Sequence, residues 1–82
     1  MIETLTIKIK GKEIHSHINR NGYFCFQYND IDLQENEFRD IISKQANIAL
    51  DKIIVATSEI DPSYKQTTFT SPKCYFVKIK EQ

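Results

Sequence analysis

The stretch TLTIKIKGKEIHSHINRNGYFCFQY, residues 4–28, decides the fold. Leu5, Ile7 and Ile9 alternate with Thr4, Thr6, Lys8 and Lys10, the two-residue period of a strand buried on one face. Gly11-Lys12 suits a two-residue hairpin turn in which glycine supplies the positive φ. Closing the chain there pairs Lys10 with Glu13, Ile9 with Ile14, Ile7 with Ser16 and Leu5 with Ile18. All the apolar side chains then share one face. At Arg20-Asn21-Gly22, a two-residue loop would set Ile14 and Ile18 against the face of Phe24 and Phe26. A three-residue loop with Gly22 in the left-handed region removes the conflict and pairs Ile18 with Phe24, Ser16 with Phe26 and Ile14 with Tyr28. A slip of one residue reverses every side chain, so the hydrophobic pattern selects the bulged turn.

Beyond these strands the period changes. Phe38, Ile41, Ile42, Gln45, Ile48 and Ala49 recur at helical spacing, and Asp32 with Glu35 three residues on has the spacing of a capping box. Asn47 is a C-cap candidate, which places the helix end between Gln45 and Leu50. Lys52 to Ile60 reads as a fourth strand whose run Ile53-Ile54-Val55 suggests an interior position. Lys73 to Lys80 reads as a fifth, with Tyr75, Val77 and Ile79 on one face. The expectation is a single α+β domain over residues 1–82, in the order βββαββ, with one helix on an antiparallel sheet. Asp61 to Pro72 is a long connection rich in Ser, Thr and Pro, of the kind that is either a binding loop or disordered, and the alternation of Thr67, Phe69 and Ser71 would also let part of it extend the last strand.

The 82 residues carry 11 Lys+Arg and 11 Asp+Glu, so no global field draws the chain to nucleic acid or membrane. The charge is nevertheless segregated. Bases outnumber acids by two in residues 1–28 and by three in residues 62–82, while acids lead by five in residues 29–61. No apolar run approaches bilayer length, and Met1 to Thr6 lacks the pattern of a secretory signal. Cys25 and Cys74 are too few for a disulfide scaffold, so the expected compartment is the cytosol. Isoleucine and lysine in excess over leucine and arginine fit AT-rich coding and hint at an AT-rich bacterium or a mobile element, a phage among them.

Few residues invite chemistry. His15 and His17 share a strand face, with Cys25 expected beside His17, which makes these three weak candidates for a metal site lacking a fourth ligand. The only glycines, Gly11 and Gly22, serve turns, so no phosphate loop is present and no cofactor is expected. An open sheet face has no walls to shield a thiolate, so Cys25 and His17 do not make a nucleophilic pair and no enzyme is expected. Two binding readings remain. Lys8, Lys10, Lys78 and Lys80 with Tyr23 and Phe76 could form a nucleic-acid platform if the terminal strands are neighbours. The preferred reading is a protein-binding module of the inhibitor, immunity or accessory type, anchored by Tyr64 and Phe69 with Lys65 and Gln66 around them. An uncovered edge strand would also allow a homodimer.

Overall fold

The computed structural model describes residues 2–57 and 73–80. Strands β1 (Thr4–Ile9), β2 (Lys12–His17) and β3 (Phe24–Gln27) come first. A single turn of helix α1 (Tyr28–Ile31), the main helix α2 (Glu35–Ala46) and a 3-10 turn (Leu50–Lys52) lead to β4 (Ile53–Ala56), and β5 (Cys74–Ile79) closes the order. The class is α+β in the order anticipated.

The strands form two antiparallel sheets instead of one, β1-β2 and β3-β5-β4. The bulged turn forms as the hydrophobic pattern requires. Asn19 donates its N–H to Tyr23 O at 2.9 Å, Gly22 lies at φ 87°, and Ile18 bridges to Phe24. The ladder stops there. Ser16 Oγ donates to Cys25 O at 2.9 Å, and Phe26 pairs with Tyr75 instead of Ser16. Placed opposite Tyr75, Phe26 shares with it the ring of Phe38, which a serine opposite could not match. Tyr28, expected opposite Ile14, opens α1.

The first hairpin turns one residue earlier than the glycine-first turn would place it. Lys10 and Gly11 are the loop, at φ 52° and 82°, and Ile9 faces Lys12, Ile7 faces Ile14 and Leu5 faces Ser16. Positive φ at both loop residues marks a primed type I turn, whose twist matches that of the strands. The pairing moves by two residues, an even number, so Leu5, Ile7 and Ile9 keep their inward direction.

The helix also starts later than Asp32. Asp32 is left-handed at φ 49° and ends α1, and Gln34 is the N-cap of α2. Asn47, left-handed at φ 56°, caps the C-terminus as its sequence position suggested. Among the described residues β4 is an edge strand and β5 the central one, which differs from the interior position inferred from Ile53-Ile54-Val55. Residues 58–60 of the anticipated fourth strand lie outside the described residues. One core joins everything: Leu5, Ile7, Phe24, Phe26, Phe38, Ile42 and Val77 are all buried in it. Phe38 meets Phe26 edge-on at 5.2 Å and stacks on Tyr75 at 5.4 Å between centroids.

Candidate functional site

Two surfaces carry the residues that the sequence marks. On the outer face of β1-β2, rows of Thr4–His17 and Thr6–His15 face solvent. Each threonine Oγ1 lies 3.0 Å from the Nδ1 of its histidine, and His15 Nε2 lies 3.0 Å from Glu13 Oε1. Cys25 is in the other sheet, opposite Phe76. His15, His17 and Cys25 are therefore not gathered, and among the described residues no three His, Cys, Asp or Glu are placed to hold a metal ion.

The lysines proposed for nucleic acid are divided between the sheets, Lys8 on β1 and Lys78 on β5, with Lys10 and Lys80 just past the strand ends. Lys10 lies 3.8 Å from Asp32, which draws it toward α1. Tyr23, Phe76 and Lys78 do meet. The two rings are edge-on at 6.4 Å, and Lys78 Nζ stands 5.4 Å above the Tyr23 centroid. Tyr23 is buried and Phe76 half-buried, so these rings are engaged with each other instead of presenting free faces. Tyr64, Lys65, Gln66 and Phe69, the anchors expected for a protein partner, lie outside the described residues.

A third feature was not visible in the sequence. A groove of about 740 Å³ opens where the two sheets and the end of α2 converge. Ile18, Ile48 and Ile79, all half-buried, line it above buried Phe24, and Ile2, 38% exposed, flanks it. Lys52, Lys78 and Lys80 also line it. The arrangement follows from local structure. Asn47 stops α2 by turning left-handed, which throws Ile48 off the helix and into the groove. Lys80 N–H donates to Lys52 O at 2.7 Å, fixing two of the lysines side by side. Ile48 had the spacing of a helix-stripe residue, and the other lining residues come from five separate segments, so no window of sequence contains the site. The volume is in the range of pockets that hold small ligands or a few peptide side chains.

No helix among the described residues is long and apolar enough to cross a membrane. Compared with known protein families, curated proteins and solved structures, the chain matches none.

Proposed function

We propose that the protein is a non-catalytic protein-binding module, of the inhibitor, immunity or accessory type found in phages and mobile elements, and that part of its partner seats in the groove beside β5. The observation that supports this most is the groove itself, an apolar floor left open to solvent at the meeting point of two sheets and a helix. Small domains rarely leave aliphatic side chains gathered in a concave surface without a use for them. The aromatic platform needed by the runner-up, a nucleic-acid binder, is weakened by the mutual contact of Tyr23 and Phe76.

Affinity capture from the cells of origin tests the reading, with Ala49→Trp to crowd the groove mouth and Lys44→Glu as a control on a residue outside the groove. A protein retained by the wild type and the control, and lost with Ala49→Trp, is the expected result. Retention of single-stranded DNA that collapses with added salt, unchanged by Ala49→Trp, would instead favour the nucleic-acid reading.

A further inference from the structure

We infer that the groove takes an extended acidic segment of a partner protein, which sets an apolar side chain on the isoleucine floor between Lys52, Lys78 and Lys80. This rests on the protein-binding reading and adds the chemistry of the partner. The first support is charge. Among the other described lysines, Lys10, Lys12 and Lys44 lie within 4 Å of a carboxylate, Lys12 at 3.2 Å from Asp30 and Lys44 at 3.0 Å from Asp40, while exposed Lys8 and Lys73 do not. Among the described residues no carboxylate pairs with Lys52, Lys78 or Lys80, and none lines the groove. Three lysines thus border one apolar concavity, Lys78 with its Nζ over the Tyr23 ring, in a protein of zero formal net charge. An acidic ligand is the complement that this local excess selects.

The second support is the backbone, which favours a polypeptide over an acyl chain or an oligonucleotide. The bond from Lys80 N–H to Lys52 O directs Lys78 and Lys80 toward β4, so the peptide groups of Val77 and Ile79 point the other way, toward β3. Val77 meets Phe24 there. Ile79 comes level with Gly22, which has left the strand and gives its own N–H to Asn19 O at 3.0 Å. The Ile79 peptide therefore faces the groove beyond the end of β3, where an extended partner chain could pair with it. A floor of isoleucines, with Tyr23 and Phe76 on the opposite face of β5 from Ile79, offers bases nothing to stack on.

The ¹⁵N-labelled full chain, titrated with a capped heptapeptide of alternating glutamate and leucine, tests this. Peptides with glutamine or lysine for glutamate, an oligo-dT strand and phosphatidylserine vesicles serve as comparisons. The expected result is that the glutamate peptide shifts the amides of Ile18, Ile48 and Ile79 and binds about tenfold tighter than the lysine peptide at low salt. In a Lys52→Glu/Lys80→Glu variant with unchanged far-UV circular dichroism, that order reverses. Equal binding of the glutamine peptide, an unaltered order in the variant, or no amide shift with the glutamate peptide overturns the acidic partner. In each of those cases partner capture that is lost with Ala49→Trp leaves the protein-binding reading standing. Groove shifts produced only by oligo-dT or by vesicles overturn both.

Discussion

Tyr75 does two jobs with one side chain. Its ring lies against Phe38 and Tyr28, and its hydroxyl donates to Leu33 O at 2.8 Å, tying β5 to the segment between α1 and α2. Burial, reinforced by nearby Tyr28, Glu35 and Glu37, pushes its pKa from the ordinary 10.0 up to about 12. The folded protein thus holds this proton more tightly than the unfolded chain. The resulting stability is complete below pH 10 and is lost as pH rises toward 12. Urea midpoints measured across that window should fall more steeply for the wild type than for Tyr75→Phe. The variant should also start lower at neutral pH, by about 1 kcal/mol for the lost hydrogen bond. Gln45 is the second decisive residue. Its amide accepts from Lys8 N–H at 2.8 Å and donates to Lys8 O at 2.7 Å, so a helix side chain occupies the edge of β1 that faces away from β2. Gln45→Leu should cost about 1–2 kcal/mol and uncover that edge. Sedimentation should then show concentration-dependent association that the wild type lacks.

Among the elements, the hairpin turn shows how composition and geometry share control. Lys10 occupies a left-handed position that asparagine accepts more readily, and its ion pair with Asp32, at 3.8 Å between exposed groups, adds little. Lys10→Asn should therefore raise stability by roughly 0.5 kcal/mol, while Gly11→Ala, forced to φ 82°, should lower it by about 1 kcal/mol. Thermal melts of both variants check the signs. The same turn explains what could be read in advance. Alternation in Leu5, Ile7 and Ile9 dictated which face is inward whatever the loop, because an even shift preserves the face. It could not choose between turns that differ by such a shift. Gly22 was legible because the competing loop would have exposed one set of apolar side chains. The division into two sheets was not, since it depends on Phe26 finding Tyr75 forty-nine residues away. β4 misled for a related reason: an apolar run reports burial, and Ile53 and Val55 are buried at an edge by packing on the core. The groove was illegible because its floor is assembled only after both sheets and the C-cap of α2 are in place.

At the scale of the whole molecule, the question is what holds two sheets together when, among the described residues, only the Ile18–Phe24 bridge links their ladders. The answer lies in the side chains. Ile7 from the hairpin, Val77 from the three-stranded sheet and Ile42 from α2 have no exposed surface and belong to one cluster. Ser16 and Gln45 add polar ties across the same junctions, to Cys25 O and to Lys8. A small domain has too little apolar surface for either sheet to stand alone, so each relies on the helix between them. Ile42→Ala removes buried volume from that shared core and should cost roughly 2–5 kcal/mol. Its effect should reach both sheets alike. Hydrogen exchange in urea, followed at the amides of Ile7 and Val77, should give the same opening free energy in the wild type and the same loss in the variant. A hairpin amide that opened at lower urea, or that escaped the loss, would mean that β1-β2 folds as a separate unit docked on the rest.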